Sequence, residues 1–196
     1  RICNVVAAGC NEKLIAPGKD QTGLNRKRIG DLHTTYLKIS EGCNNRCSYC
    51  AIPVIRGGLK SRTIDSIIKE AIALAGDGVR EINVIAQDTT SYGLDNGRDI
   101  INLLKRLMKI KEINWIRLLY CYPYHFSADL IDLIASEEKI CKYIDLPIQH
   151  IDDGILKRMN RKGSSKIIIN LIERLRKKVE GIALRTSLIT GFPGES

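Results

Sequence analysis

The sequence predicts an α/β protein built as an incomplete parallel (β/α) barrel, and three observations lead there. From Tyr36 onward, short runs of β-forming residues alternate with stretches whose apolar residues recur at helical spacing. That alternation is the pattern of a parallel sheet with crossover helices. Each strand ends in a polar or glycine-marked loop, where barrel and open-sheet enzymes hold their reactive groups. Five such strands are legible, the last running into Gly191 to Ser196.

Residues 1–33 do not fit the alternation. Val5 to Cys10 reads as a short buried strand ending in a turn, and Asn11 to Gly30 is linker chemistry, dominated by Gly, Lys, Asp, Asn and Arg with Pro17 among them. The expected boundary separates this remnant from a main domain over residues 34–196. There the first strand is Tyr36 to Ser40, stopped at Gly42. Thr63 can cap a helix with Ile64, Ile67, Ile68, Ala71, Ile72 and Ala75 on one face, ended by Gly76 and Gly78. Glu81 to Ala86 is the second strand, and Asp99 opens a helix with Ile100, Leu103, Leu104 and Leu107 inward. Trp115 to Tyr120 is the third strand, followed by a short helix capped by Ser127 with Leu130, Ile131 and Ile134 on its apolar face. Tyr143 to Leu146, cut by Pro147, is the fourth. Helical stretches from about Asp152 to Met159 and Ser165 to Val179 flank Gly163. Ile182 to Thr190 is the fifth strand.

Composition bounds the function only loosely. At 44% hydrophobic and 27% charged, the chain has an ordinary soluble globular makeup, and no apolar run approaches membrane-spanning length. Seven cysteines, an odd number, without a secretory leader pattern argue for reduced thiols and a cytoplasmic setting. The net charge of +9 favours a polyanionic partner such as RNA or an RNA-rich particle. Taken singly, the basic clusters Asn25–Arg28, Arg158–Lys162 and Arg174–Lys178 read more plainly as solvated helix faces and linker.

The first strand runs into Cys43, Cys47 and Cys50, spaced C-x3-C-x2-C. Three thiols this close cannot all pair as one disulfide, and as thiolates they repel unless a cation sits among them. Structural zinc wants four protein ligands, commonly as two paired knuckles, and no second C-x2-C follows. A cubane cluster on three cysteines leaves one iron open to a small molecule, and the asymmetric spacing suits it better.

The motif CNNRCSYC resembles the cluster motif of the radical S-adenosylmethionine (SAM) superfamily. With its flanks (YLKISEGCNNRCSYCAIPVIRGG, INVIAQDTTSYG, IRLLYCYP, YIDLPIQH and LRTSLITGFPGES) the chain is similar to the methylthiotransferases, most of all those acting on an aspartate of a small-subunit ribosomal protein. The resemblance implies a six-stranded radical SAM barrel with five strands present here, truncated at both ends. It implies a [4Fe–4S] cluster on Cys43, Cys47 and Cys50, whose open iron binds SAM. The implied activity is SAM cleavage and addition of a methylthio group to the aspartate β-carbon, with a donor such as flavodoxin or ferredoxin supplying the electron. It also implies an N-terminal domain whose three further cysteines hold a second [4Fe–4S] cluster in the full-length protein. Cys10 is the candidate for one of them, although a small buried thiol is the plainer reading of Cys10 and Cys3. Alternatives are a tRNA-modifying methylthiotransferase on the same barrel and a non-enzymatic zinc module that binds RNA.

Further candidates sit at strand ends. Tyr49 precedes the last cysteine, as the motif's aromatic does. Gln87 and Asp88 follow the second strand, where this superfamily binds the methionine amino group; turn residues bonding their own backbone are the competing reading. Gln149 is a candidate substrate contact, whereas His150 reads as a local hydrogen-bonding residue. Arg185, a charge within an apolar strand, either meets the SAM carboxylate or points outward at the bottom rim. Tyr120, Tyr122 and Tyr124 are expected to wall the pocket, Cys121 and Cys141 to be core. Gly191, in GFPGE, resembles the superfamily's loop near adenine, where glycine permits close backbone approach.

Overall fold

A computed structural model describes residues 31–195. Cys3 and Cys10, and nearly all of the expected N-terminal remnant, lie outside the described residues. In chain order the elements begin with β1 (Thr34–Lys38), β2 (Ser40–Glu41), α1 (Ile52–Arg56), β3 (Lys60–Ser61), α2 (Ile64–Gly76) and β4 (Glu81–Ile85). They continue with α3 (Ile100–Met108), β5 (Trp115–Leu118), α4 (Ala128–Ser136), β6 (Ile140–Asp145), α5 (Asp153–Arg158), α6 (Ser165–Lys178) and β7 (Ala183–Arg185). Five strands form one parallel sheet in the order β1-β4-β5-β6-β7, an incomplete (β/α) barrel, while β2 and β3 make a separate antiparallel pair.

Period-2 alternation gives the sheet two unlike faces. Leu37, Ile82, Val84, Ile116, Leu118 and Ile144 are each at most 1% exposed, and they pack with Ile67, Ala71, Leu103, Leu107, Ile131 and Leu175 of the covering helices into one core. The opposite face is polar. Arg117 pairs with Glu81 at 2.8 Å and lies 4.9 Å over the Tyr143 ring, Asn83 donates to the Thr34 hydroxyl, and Arg185 approaches Asp145 at 3.8 Å. Tyr36 and Trp115 stand exposed on it. A sheet with one greasy and one polar face is half of what makes a barrel interior able to receive a polar ligand.

The expected helix starts form for the expected reason. Thr63 accepts from Ser66 N, Asp99 from Ile101 N and Ser127 from Leu130 N, each satisfying an amide that a helix start leaves open. β1 lies two residues early, at Thr34–Lys38, with Ser40 in the separate pair, and β4 and β5 end one and two residues short. Two further strands depart more from the sequence expectation. β6 begins at Ile140, three residues early, because a register shift against β5 admits Cys141 and Lys142, whose polarity hides the alternation. Cys141 accordingly is half-buried on the polar side of the strand instead of in the core. β7 spans only Ala183–Arg185; beyond it the chain follows Gln149 through single bonds from Gln149 N to Ser187 O and from Ile189 N to Gln149 O. Neither α1 nor the β2–β3 pair is legible in the sequence. Among the described residues no helix is long and apolar enough to cross a membrane.

One buried ion pair ties β3 to α2. Arg62 Nη1 meets Glu70 Oε2 at 2.6 Å with both side chains at most 5% exposed, and Arg62 also donates to Lys38 O at the end of β1. Removing one partner strands a buried charge, which costs far more than the pair contributes. Glu70→Ala is expected to lower unfolding stability by about 3–5 kcal/mol, read as a lower denaturant midpoint. A change below about 1 kcal/mol would show that water relieves the arginine.

Candidate functional site

The cysteine loop begins at a glycine because nothing else fits. Gly42 has φ +72, and a Cβ there would stand 2.2 Å from Gly58 O and 2.6 Å from Gly57 O. Cys43 N donates to Gly57 O and Leu59 N to Asn44 Oδ1, so the segment between α1 and β3 and the first half of the loop are stitched together. Asn45 turns inward and donates to Asp88 Oδ2 at 2.7 Å. The second half of the loop is held from far along the chain. Ser48 N donates to Met159 O, Ser48 Oγ to Arg158 O and Asn160 Nδ2 to Arg46 O.

Cys43, Cys47 and Cys50 line one cavity of about 200 Å³ at the C-terminal end of the strands. Gln87, from the end of β4, and Tyr120 and Tyr122, after β5, complete its wall together with Pro147 and Gln149 after β6. All three cysteines are half-buried. Burial pushes the Cys43 thiol up, with Asp88 and the other two cysteines adding to the shift against a hydrogen bond from Asn45.

A fourth cysteine reaches the same wall. Cys121 lines the cavity and is 1% exposed; burial pushes its thiol well above the ordinary range, and the carboxylates of Asp88 and Asp145 push it the same way. Cys121 stands outside the cysteine loop, packed into the core, and contributes to the cavity as a buried wall element.

Gln87 Nε2 donates to Glu41 Oε1 at 2.9 Å, while Gln87 Oε1 is buried with no partner among the described residues. An orphan acceptor on a cavity wall fits a ligand that brings a donor. Asp88 does not line the cavity. It is 2% exposed, accepts from Thr90 Oγ1 and Ser91 N, and holds Asn45 and His125 at 2.7 and 2.9 Å, so it ties the cysteine loop to the β4 and β5 loops. Gln149 lines the cavity in a left-handed backbone conformation, φ +71, as does Tyr120 at φ +57. Such conformations in side-chain-bearing residues cost on the order of 1–3 kcal/mol and gather at functional sites. His150 lies aside, bonded to Glu195 and to Asp152 N. Tyr124 is half-exposed and off the cavity wall.

Arg185 lies on the polar face of the sheet beside Asp145, its side chain 62% exposed, and does not line the cysteine cavity. Gly191 has φ +74 with open space where a Cβ would be; the close approach in this loop falls at Gly194, whose Cβ would meet Arg158 Nη1 at 1.5 Å. Phe192 contacts Tyr49 edge-on, ring centroids 6.4 Å apart, bringing the GFPGE loop to the cysteines.

Sequence reasoning missed the segment Arg158–Lys162, which reads as a basic solvated stretch. It runs against the cysteine loop instead. Arg161 Nη1 donates to the Tyr49 hydroxyl at 3.0 Å and lies 3.9 Å from Cys47 Sγ, Nη2 donates to Pro147 O at 2.8 Å, and the guanidinium sits 4.4 Å over the Tyr122 ring. Burial pushes the Tyr49 phenol up to about 12 against the pull of Arg161. The one local signal was Gly163, whose φ of +102 ends the segment.

Residues 37–196 match the family described as the Radical SAM superfamily. The chain is 53% identical over 174 residues to the ribosomal protein uS12 methylthiotransferase RimO of Clostridium botulinum (strain Loch Maree / Type A3), covering 88% of this chain and 39% of that protein. It is 48% identical over 204 residues to the protein of that name from Geotalea uraniireducens, covering all of this chain and 46% of that protein. The chain thus spans less than half the length of the curated relatives it matches. Among solved structures it resembles the radical S-adenosylmethionine methyltransferase TsrM from Kitasatospora setae, with tryptophan substrate and a SAM analog bound, at TM-score 0.67 and 21% identity over 88% of this chain and 35% of that one. This last likeness speaks for the fold alone.

The different environments of the four cavity cysteines carry an expected outcome. After anaerobic iron–sulfide reconstitution, Cys47→Ala loses most bound iron while Cys121→Ala keeps the iron content of the unaltered protein. Equal loss in both, with folding intact by circular dichroism, would make Cys121 a ligand.

Proposed function

The chain belongs to the radical SAM superfamily, and on that premise we propose that it is the barrel of a methylthiotransferase that modifies ribosomal protein uS12. The product would carry a methylthio group on the β-carbon of an aspartate. Identity near 50% to uS12 methylthiotransferases supports the substrate class. The cofactors of the superfamily are a [4Fe–4S] cluster and SAM, and the single observation that carries the reading is the cavity walled by three half-buried thiols.

The residues fit both groups. Cys43, Cys47 and Cys50 are the three soft donors that leave a cubane one open corner. Gln87 Oε1, buried and unsatisfied among the described residues, is an acceptor suited to the SAM ammonium group. Held there, the cluster would supply the one-electron chemistry for reductive cleavage of SAM. This chain's own residues hold, orient and shield. Asp88 fixes Asn45 and, through it, the loop between the first two cysteines. Tyr120, Tyr122 and Pro147 give the cavity apolar walls that limit water around a reactive species. Phe192 and Tyr49 bring the GFPGE loop to the cysteine side of the mouth. Arg185, paired with Asp145 on the polar face, is available to a carboxylate or to the incoming polypeptide.

A low-potential one-electron donor such as flavodoxin or ferredoxin, a cytoplasmic setting and action on or near the ribosome complete the proposal; the net charge of +9 accords with the last. A second cluster, with Cys10 as the candidate ligand, would serve the sulfur transfer in the whole protein. The test is anaerobic reconstitution followed by iron counting, chromatography for 5′-deoxyadenosine, and mass spectrometry of uS12. Iron near four per chain and 5′-deoxyadenosine release are expected for the barrel, and a methylthio mass gain on a uS12 aspartate is expected for the whole protein. Bound zinc without SAM cleavage would overturn the cofactor reading, and methylthio-adenosine in tRNA with unmodified uS12 would overturn the substrate.

A further inference from the structure

Arg161 brings a positive charge to a cysteine that the cluster reading makes a ligand. Its four contacts (Cys47 Sγ, the Tyr49 hydroxyl, Pro147 O and the Tyr122 ring) fix the planar guanidinium in one orientation at the cavity wall. A flexible ammonium could satisfy one or two of these at a time, not all four. We infer that Arg161 is a positioning residue that tunes the redox poise of the cluster on Cys43, Cys47 and Cys50, an inference that rests on the cluster reading above.

The argument is one of charge. Reduction adds one electron to the cluster from a one-electron donor; no bond forms or breaks and no proton moves. The added negative charge is stabilised by a nearby cation and by an N–H aimed at a ligand sulfur, so the reduced form gains more from Arg161 than the oxidised form does. Apolar neighbours strengthen the effect by limiting solvent screening, and here Tyr122, Pro147 and the buried Cys121 share the wall with Arg161. The arginine therefore raises the potential and makes the cluster easier to reduce.

The course of the loop does not hang on Arg161. The bonds from Ser48 N to Met159 O, from Asn160 Nδ2 to Arg46 O, from Cys43 N to Gly57 O and from Asn45 Nδ2 to Asp88 Oδ2 are all independent of it. A neutral residue at 161 is thus expected to leave the ligands in place while changing the field they feel.

The experiment is a redox titration with dithionite, followed by electron paramagnetic resonance, on anaerobically reconstituted protein and on Arg161→Gln and Arg161→Lys. Arg161→Gln is expected to show about a tenfold lower ratio of reduced to oxidised cluster at a fixed potential, a shift of about 59 mV to lower potential for a one-electron couple. Arg161→Lys, which keeps the charge, is expected to recover most of that loss. A fully iron-loaded Arg161→Gln that titrates like the unaltered protein overturns the assignment, as does an Arg161→Lys that titrates like Arg161→Gln. Should Arg161→Gln load no iron, uptake by Arg161→Lys supports the need for a charge there, and failure of both overturns it. Unaltered protein that takes up no iron fails the cluster reading itself, a result separate from any shift between loaded variants.

Discussion

A loop that must present three thiols to one cavity cannot also bury a core of its own, and the architecture answers that constraint with hydrogen bonds from distant elements. Residues 42–50 contribute none of the buried hydrophobic side chains of the core. Their course is set by Gly57 and Gly58 on one side, Asp88 beneath, and Met159 and Asn160 on the other. The anchors lie in the turn after α1, the loop after β4 and the turn after α5, so the sheet and its helices serve chiefly to hold those segments in register. Loops positioned by a rigid scaffold are where parallel barrels keep their chemistry.

The same economy explains where strain and buried polarity sit. Tyr120, Gln149 and Asn160 are the side-chain-bearing residues with positive φ among the described residues; the first two wall the cavity and the third precedes Arg161, which also lines it. Buried polar groups follow suit, since Asp88, Thr89, Thr90 and Ser91 form a turn whose side chains and amides bond one another and their neighbours. A network this fully satisfied is rigid, and rigidity is what orienting several ligands around one reacting centre requires.

Charge in this chain does two separate jobs. Arg174–Lys178 ends α6 on the surface, and one of its lysines, Lys178, pairs with Asp132. Arg158 and Arg161, equally basic on paper, turn instead toward Pro193 and the cysteine loop. A polyanion-facing surface can thus be credited only with the first kind, which lessens what the whole-chain imbalance says about RNA.

The sequence by itself determined the strand–helix alternation, the caps at Thr63, Asp99 and Ser127, and the cysteine loop at a strand end. These features depend on residue type and short spacing: period 2 against period 3.6, a hydroxyl or carboxylate at a helix start, a glycine where no Cβ fits. Only the tertiary structure decided that Asp88 is a buried hub and not a wall residue, that Arg185 lies on the polar face away from the thiols, and that Arg161 meets Cys47 across 114 residues of chain. A side chain's environment is set by what the fold brings to it from elsewhere, and no local pattern carries that information.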